Sequence, residues 1–353
     1  MALPERAVQE RMMRRCLQLA ENGSTGAAPN PMVGAVLAIN DHVIAEGWHK
    51  HRGGPHAEVD CLGSFGDGAV PKDSVLYVNL EPCAHFGATP PCVDLLIARG
   101  IKHLVVGTVD PDPRTHGQGI ARARAHGIHV EVGVVHDECR WLNRRFITSV
   151  EKRRPFVVLK WAQSGDGFID GGPSDQRKVH RISTAATDVL VHRWRTEEQA
   201  ILVGSRTVLR DDPSLSARHT DGRSPLRVVI DRTCIAPSAS KVFTDGGATL
   251  LFTCTRREDI DAEQVILSIS DDPLAAVLRE LHRRSIRSML VEGGAELHQH
   301  FIDRDLWDEV RIITSPALIH QGTVAPRFHH ASWRTNTSGA DSIAWHVAAR
   351  SGA

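Results

Sequence analysis

Apolar and polar positions alternate along the first half of the chain in a pattern that predicts an α/β protein. Apolar residues recur at helical spacing over residues 4–22, and this pattern ends at Gly23. Shorter apolar runs, typical of buried strands, follow at 33–39, 43–48, 74–80, 103–108 and 128–132. The first two runs flank Asn40-Asp41 and predict a hairpin, while helices are expected between the others and near 137–146. This alternation predicts a sheet with helices on both faces.

The second half repeats the alternation with different segments. Strands are predicted at 156–161, 200–203, 226–230, 249–253 and 288–291, and helices at 184–195, 273–284 and 295–302. The charged segment Glu151-Lys152-Arg153-Arg154, ended by Pro155, is typical of a solvated linker. With 353 residues, 41% of them hydrophobic, the chain is long enough for two cores. We therefore predict domains at 1–148 and 153–353.

Charge and hydropathy exclude some classes of function. Lys plus Arg and Asp plus Glu each number 42, so the formal net charge is zero. Proteins that bind nucleic-acid phosphates usually carry a basic excess, so we expect a small-molecule substrate and no nucleic-acid partner. The chain has no apolar run of about 18 residues and no hydrophobic signal region, which predicts a cytoplasmic protein. The seven cysteines, an odd number, fit a reducing compartment.

Three residues with zinc-ligand chemistry, His56, Cys83 and Cys92, suggest a catalytic metal site. A catalytic zinc typically has three protein ligands and a water, and it lowers the pKa of that water to about 7. Glu58, two residues after His56, matches the unligated carboxylate that moves protons in the H-x-E signature of zinc deaminases. The pattern predicts hydrolytic removal of an amino group from a ring carbon. A closed structural zinc site, with His85 as a fourth ligand, is an alternative.

The spacing of the two cysteines narrows the class of deaminase. Eight residues separate them, whereas the usual deaminase pattern is P-C-x-x-C. The sequence LEPCAHFGATPPC at 80–92, with PNPMVG at 29–34, GWH at 47–49 and DPDP at 110–113, resembles the first domain of the bifunctional riboflavin-biosynthesis deaminase/reductase family.

That resemblance implies a fold, a cofactor and a substrate for the first domain. It implies a cytidine-deaminase-like three-layer α/β/α domain that binds Zn²⁺. The expected reaction is deamination of 2,5-diamino-6-ribosylamino-4(3H)-pyrimidinone 5′-phosphate. Asn30 and His49 would contact the ring, although Asn30 could instead cap its own turn.

The second half resembles the reductase half of the same family in the segments LKWA at 159–162, SGDG at 164–167, GSRTVL at 204–209, DDPSL at 211–215 and VEGG at 291–294. The resemblance implies a dihydrofolate-reductase-like α/β domain in which NADPH reduces the ribosyl group to ribityl. By position, the cofactor would contact Ala162, Thr207, Asp211, Gly293 and Gly294. The substrate would contact Arg195, Leu215, Arg218 and Glu292.

Ordinary structural roles are open for several of these residues. The glycine pair stands between a strand and a helix, where backbone amides can hold a phosphate or form only a tight turn. Arg195 could be a surface charge at a helix end and Asp211 a turn residue. If the two arginines do bind the substrate, their guanidinium forks suit its phosphate.

Two segments depart from the family pattern and leave alternatives open. Val179-His180-Arg181-Ile182 stands where the family often has Ser-x-Trp, and a polar tail follows residues 316–328. One alternative is therefore an active deaminase whose second domain only binds or dimerises. A nucleic-acid deaminase and a non-enzymatic zinc module are others. We also expect a homo-oligomer.

Overall fold

The computed structural model describes residues 3–87, 90–171 and 182–348. The chain divides into two compact units, Met1–Arg153 and Arg154–Ala353. The segment Val179-His180-Arg181, which departs from the family pattern, lies outside the described residues. Among the residues described, no helix combines the length and apolar character that a membrane span requires.

The first unit contains a five-stranded sheet in the order β2-β1-β3-β4-β5. Its strands are β1 (Gly34–Ile39), β2 (His42–Trp48), β3 (Ser74–Leu80), β4 (His103–Thr108) and β5 (His129–Val132). β1 pairs antiparallel with β2 and β3, whereas β3, β4 and β5 are parallel. The predicted strands and hairpin are all present.

Helices cover both faces of this sheet, as the alternation predicts. They are α1 (Arg6–Glu21), α2 (Ala57–Phe65), α3 (Cys92–Ala98), α4 (Gln118–Ala125), α5 (His136–Leu142) and α6 (Arg144–Glu151). Apolar residues of α2, α3 and α4 form one core against the sheet, and those of α1 and α5 form another. The single helix predicted at 137–146 is wrong in extent. The chain breaks at Asn143, whose side chain binds both backbone polar groups of Met32.

The second unit contains a nine-stranded sheet in the order β11-β10-β9-β8-β12-β6-β13-β16-β15, together with a separate pair, β7 and β14. The strands are β6 (Phe156–Gln163), β7 (Phe168–Asp170), β8 (Ala200–Gly204), β9 (Leu226–Ile230), β10 (Thr249–Thr253), β11 (Glu263–Ile266), β12 (Ser288–Gly293), β13 (Glu309–Thr314), β14 (Thr323–Val324), β15 (Arg334–Ser338) and β16 (Asp341–Val347). The strands from β11 to β13 in the sheet order are parallel, and β16 and β15 add an antiparallel end.

The helices of this unit are α7 (Ala185–Glu197), α8 (Ser205–Asp211), α9 (Lys241–Thr244), α10 (Pro273–Arg283) and α11 (Ala295–Asp303). α10 and α11 contribute to one core against the sheet, and α8 and α9 contribute to a second. α7 packs through Val191 and Trp194 on Ile313 of β13 and Ile343 of β16. Strands β15 and β16 lie in the polar tail and extend the sheet there, although the apolar pattern of the sequence predicts no strand in this segment.

Parallel strands bring the predicted reductase residues to one edge of the sheet. β8, β12, β6 and β13 are neighbours, so their carboxyl ends lie side by side. α8 follows β8 directly, and α11 follows β12 after Gly294. In open α/β sheets, ligands bind outside the carboxyl ends of the strands. This carboxyl edge is therefore the candidate site of the second unit.

Candidate active sites

The three predicted metal ligands converge at the starts of two helices. His56 immediately precedes α2, Cys92 is the first residue of α3, and Cys83 lies in the loop after β3. Their ligand atoms all lie within 4.8 Å of one another. His56 Nδ1 is 3.2 Å from Cys92 Sγ and 3.6 Å from Cys83 Sγ. A tetrahedral zinc with bonds of about 2.0–2.3 Å needs ligand atoms roughly 3.3–3.8 Å apart, so this donor set fits the ion.

Electrostatics also favours a cation between the sulfurs. The hydrogen bond from Cys92, reinforced by His56, lowers the pKa of Cys83 to about 4 in spite of burial. The same hydrogen bond and burial raise the pKa of Cys92. Cys83 is therefore a thiolate that accepts a hydrogen bond from the thiol of Cys92. A divalent cation bound between the two sulfurs would displace the thiol proton of Cys92.

The arrangement leaves one coordination position for a group from outside the chain. Among the described residues, only His56, Cys83 and Cys92 form a cluster able to hold a metal. His85, the candidate fourth ligand, instead has Nδ1 3.2 Å from Thr115 Oγ1. Three ligands with an open position are typical of catalytic zinc and not of structural zinc.

Glu58 lies beside the ligands, near the start of α2, and is not one of the clustered metal-binding groups. Its side chain is buried, with the residue only 3% exposed. Burial, followed by the negative charge of Cys83, raises the pKa of Glu58 to about 7. A carboxyl group with this pKa can both accept and donate a proton near neutral pH.

Asn30 and His49 form a hydrogen-bonded pair next to the ligands. His49 Nδ1 is 2.9 Å from the carbonyl oxygen of Pro55, and its Nε2 is 3.1 Å from Asn30 Nδ2. Burial lowers the pKa of His49, so the ring is neutral, donating to Pro55 and accepting from the Asn30 amide. The His49 ring centre lies 5.5 Å from that of His56. The side-chain amide of Asn30 thus contacts His49.

Three buried polar residues that sequence reasoning missed hold the loops of this site. Asn79 Oδ1 accepts from Gly34 N, and Asn79 Nδ2 donates to the carbonyl of Met32. Asn143 holds Met32 from the other side. Glu81 accepts from three backbone amides, those of Asp110, Gly117 and Ile120. One signal was present: Asn79 is the only amide side chain within the apolar run of β3.

In the second unit, Gly293 and Gly294 form a cradle of bare backbone beside Thr207. Gly293 has φ 143°, a backbone conformation that favours glycine. A Cβ on Gly293 or Gly294 would lie 3.5 or 3.6 Å from Thr207 Oγ1. Gly294 also precedes α11, whose first amides point out of the helix. Bare backbone, a hydroxyl and a helix start fit the phosphates of a dinucleotide cofactor.

Two further predicted cofactor residues lie on elements flanking this cradle. Ala162 is near the end of β6, the neighbour of β12, and is half-buried. Asp211 is the last residue of α8. Partial desolvation, followed by the charge of Asp170, raises the pKa of Asp211.

A buried charged cluster occupies the end of β12. Arg195 Nε and Nη2 each donate to Glu292 at 2.8 Å, and Arg195 Nη1 donates to the carbonyl of Ser216. Lys160 Nζ, a residue that sequence reasoning did not single out, lies 3.6 Å from Glu292 Oε2. Burial raises the pKa of Glu292, but the charges of Arg195 and Lys160 outweigh it and lower the pKa to about 2. Arg195 thus binds mainly to Glu292, whereas the sequence analysis expects its guanidinium group to bind the phosphate of the substrate.

The other two predicted substrate residues differ sharply in exposure. Leu215 is 2% exposed, in the core formed with α8 and α9, so its side chain is not available to a ligand. Arg218 is exposed and close to His192, whose pKa is lowered to about 4 by burial and then by Arg195 and Arg218. Arg218 is therefore better placed than Arg195 to meet a phosphate from solvent.

Family models match both halves of the chain. Residues 6–108 match the cytidine and deoxycytidylate deaminase zinc-binding region, and residues 155–330 match the RibD C-terminal domain. The riboflavin biosynthesis protein RibD of Aquifex aeolicus is 35% identical over 325 residues, covering 90% of this chain and 89% of that protein. RibD of Chlamydia trachomatis is 41% identical over 308 residues, covering 83% and 80% of the two chains.

Solved structures agree with these matches over nearly the whole length. The diaminohydroxyphosphoribosylaminopyrimidine deaminase/5-amino-6-(5-phosphoribosylamino)uracil reductase of Thermotoga maritima has a TM-score of 0.85 and 35% identity, covering 96% of this chain and 98% of its own. RibD of Acinetobacter baumannii has a TM-score of 0.87 and 30% identity, covering 97% and 99%. The chain therefore belongs to the RibD family of riboflavin biosynthesis proteins, which join a zinc-binding deaminase domain to a reductase domain that uses NADPH.

Proposed function

We propose that this chain catalyses two consecutive steps of riboflavin biosynthesis. Residues 1–148 deaminate 2,5-diamino-6-ribosylamino-4(3H)-pyrimidinone 5′-phosphate, and residues 153–353 then reduce its ribosyl group to ribityl with NADPH. The observation that carries this proposal is the convergence of His56, Cys83 and Cys92 beside the buried Glu58. The division into two compact units and the two separate family-model matches support the domain assignment.

In the deamination, His56, Cys83 and Cys92 would hold zinc, which when bound would supply a water that is nucleophilic near neutral pH. Glu58 carries one proton of the attacking water to a ring nitrogen as the oxygen bonds to the ring carbon. It then carries the second proton of that water to the amine, so the C–N bond breaks and ammonia leaves as the carbonyl forms. Asn30 and His49 contact the ring and fix its orientation. The hydrogen bonds of His49 to Pro55 and Asn30 support this role, because they fix both side chains before substrate binds.

In the reduction, bound NADPH would supply the hydride, and the chain would position it against the sugar. Gly293, Gly294, Thr207, Ala162 and Asp211 would hold the cofactor along the carboxyl edge. Because its low pKa keeps Glu292 ionised, this residue accepts hydrogen bonds from substrate groups.

The remaining substrate contacts come from residues around that carboxylate. Arg195 binds Glu292 and so contributes to the same part of the substrate pocket. Arg218 binds the phosphate, and Leu215 contacts the substrate through its backbone.

We also propose that the protein is a cytoplasmic homo-oligomer that acts on a small molecule and not on nucleic acid. The balanced charge supports the choice of substrate class. Strand β15 is an edge of the nine-stranded sheet, and the neighbouring Trp333 is 56% exposed. A second copy could cover both features. Light scattering of the purified protein would measure the number of copies.

A two-channel assay tests both activities at once. Ammonia release and NADPH oxidation are recorded together, with the diaminopyrimidinone substrate and, separately, with its deaminated product. We expect the wild type to give both signals from the first substrate. Glu58→Gln should give neither signal from the first substrate but should still oxidise NADPH with the deaminated one. Ammonia without NADPH oxidation would favour a deaminase with a non-reducing second domain, and zinc without ammonia release would contradict the substrate.

A further inference from the structure

A small ribbon, formed by β7 and β14, joins opposite sides of the carboxyl edge in the second unit. β7 follows β6 after a short loop, β14 follows β13, and the two pair antiparallel. Ile169 of β7 and Ala325, just after β14, pack on the core below. At its far end, Asp170 lies 3.6 Å from Arg210 of α8, the helix that follows β8. Because β12 and β6 lie between β8 and β13, the ribbon extends along the edge that carries Gly293 and Gly294.

One carboxylate ties the two loops at the base of this ribbon together. Asp166 accepts three hydrogen bonds: from Ser164 Oγ at 2.5 Å in its own loop, and from the amides of Ile319 at 3.2 Å and His320 at 2.8 Å in the loop after β13. These bonds, led by that from Ser164, lower the pKa of Asp166 to about 2, so it is ionised throughout the working range of pH. We name this set of contacts the Asp166 latch.

Backbone hydrogen bonds make the latch part of a continuous clasp. Gly165 N donates to Ala317 O, Ala325 N donates to Gly167 O, and Thr323 N donates to the Asp170 side chain. Without Asp166, however, the amides of Ile319 and His320 would lose the only acceptor that they have among the residues the structure describes. The Asp166 side chain therefore adds two hydrogen bonds to the backbone bonds that hold the loop after β6 against the loop after β13.

We propose that Asp166 is a positioning residue for the reduction: its carboxylate holds the β7–β14 ribbon in the place where it borders the NADPH site. This inference rests on the proposed NADPH-dependent reduction. Asp166 acts through the ribbon, which reaches α8 beside the predicted cofactor residue Asp211. The charge of Asp170 acts on Asp211, so a shift of the ribbon changes the electrostatics at that residue.

The test uses Asp166→Asn in the full chain. The amide keeps the size of the side chain but removes the charge and replaces one acceptor oxygen with a donor, which cannot bind the amide it faces. We expect the dissociation constant of NADPH and its KM to rise about tenfold. The ribbon is held less firmly in this variant, and a modest loss of NADPH binding free energy gives a change of that size. Reduction at saturating NADPH should fall less, and ammonia release should not change.

Asp271→Asn is the matched control. Like Asp166, Asp271 accepts a hydrogen bond from a backbone amide, that of Ser268 at 2.8 Å. Asp271 and Ser268 both lie in the loop between β11 and α10, and not in the ribbon. We expect this variant to bind NADPH like the wild type. Asp166→Glu, which keeps the charge on a longer side chain, should fall between the wild type and Asp166→Asn, and it replaces Asp166→Asn if that variant does not fold.

Amide hydrogen exchange, measured without NADPH, separates the latch from the activity. Faster exchange at Ile319 and His320 in Asp166→Asn, together with weaker NADPH binding, would support the proposal. Unchanged exchange, or faster exchange with unchanged NADPH binding and KM, would overturn it. A wild type that binds no NADPH would refute the proposed reduction itself, and equal losses of ammonia release and reduction in Asp166→Asn would show general destabilisation and overturn a specific role.

Discussion

Two buried glutamates, one in each unit, have opposite pKa shifts. Glu58 is 3% exposed, and the side chain of Glu292 is 7% exposed. Burial and the negative Cys83 raise the pKa of Glu58 to about 7. At Glu292, Arg195 and Lys160 outweigh burial and lower the pKa to about 2. Burial alone therefore does not decide whether a carboxyl group holds a proton; the charges around it do.

The difference matches the two proposed roles. Glu58 must exchange a proton in each turnover, which is efficient when the pKa lies near the working pH. Glu292 remains an acceptor within a set of fixed charges, which suits orientation of a substrate and not proton transfer at neutral pH. The same isosteric substitution at both positions should therefore have different consequences.

Glu58→Gln should give the largest effect on activity and little effect on stability. Deamination should fall by roughly 10²–10⁴-fold, because the residue that moves the proton is lost. The free energy of unfolding should not fall by more than about 1 kcal/mol, because an amide of the same size replaces a buried carboxyl group whose raised pKa of about 7 leaves it partly protonated at neutral pH. Ammonia release and urea unfolding check these two expectations, and the content of bound zinc, which should equal that of the wild type, is measured alongside them. Loss of zinc together with activity would mean that Glu58 supports the ligands and is not the proton carrier.

Glu292→Gln should instead destabilise the second unit. Removing the carboxylate leaves Arg195 and Lys160 buried without their anionic partner, a change that typically costs about 3–5 kcal/mol. Urea unfolding of the full chain should show this loss, and NADPH oxidation should fall while ammonia release is retained. Glu258→Gln, at a side chain 84% exposed, is the control and should leave both measurements unchanged. A stable Glu292→Gln variant would mean that the cations are well solvated and that the comparison with Glu58 fails.

The sequence predicts these two sites unequally for a physical reason. His56, Glu58, Cys83 and Cys92 lie at the starts of α2 and α3 and in the loop after β3, all within residues 56–92, so short-range spacing reflects their arrangement. Arg195 and Glu292 are 97 positions apart and meet because α7 packs near a sheet in which β12 lies between β8 and β6. No periodicity in the chain encodes that strand order. Only the family resemblance placed both residues in one site, and it did not predict that they bind each other.

The missed elements show the same limit. Strand β15 is polar at nearly every position and is defined by its antiparallel pairing with β16. The short helix α8 carries Thr207 and Asp211, yet only Val208 is buried, so it has almost no apolar periodicity. By contrast, β3 and β4 are buried at every position, and their bounds are those that the apolar runs predict. Burial makes an element predictable from sequence, whereas pairing with a distant strand does not.

The pH dependence of stability gives a smaller and more specific test of Glu292. Its folded pKa of about 2 lies below the ordinary value of 4.5, so the unfolded state binds more protons between these two values. The stabilisation is complete above about pH 4.5 and is lost as the pH falls through about 2. The difference between the two pKa values corresponds to a contribution of about 3 kcal/mol to the free energy of unfolding above pH 4.5.

Subtracting the unfolding free energy of Glu292→Gln from that of the wild type isolates this contribution. Other acidic residues with lowered pKa values, such as Asp259 and Glu280, titrate in both proteins and cancel in the difference. We expect the difference to shrink steadily from pH 5 towards pH 2. A constant difference would show that Glu292 loses packing, not charge, when it is changed.

Arg195→Lys should have the smallest effect and separates charge from geometry. Lysine keeps a cation beside Glu292, so that carboxylate stays ionised, but it cannot reproduce the two parallel hydrogen bonds to Glu292 and the third to Ser216. The loss should be about 1–2 kcal/mol in the free energy of unfolding, below that of Glu292→Gln. Calorimetry of the full chain measures it, with Arg193→Lys on the same helix, at a side chain 72% exposed, as the matched control. If Arg195→Lys were as damaging as Glu292→Gln, the geometry of the guanidinium fork, and not the balance of charges, would be what distinguishes Glu292 from Glu58.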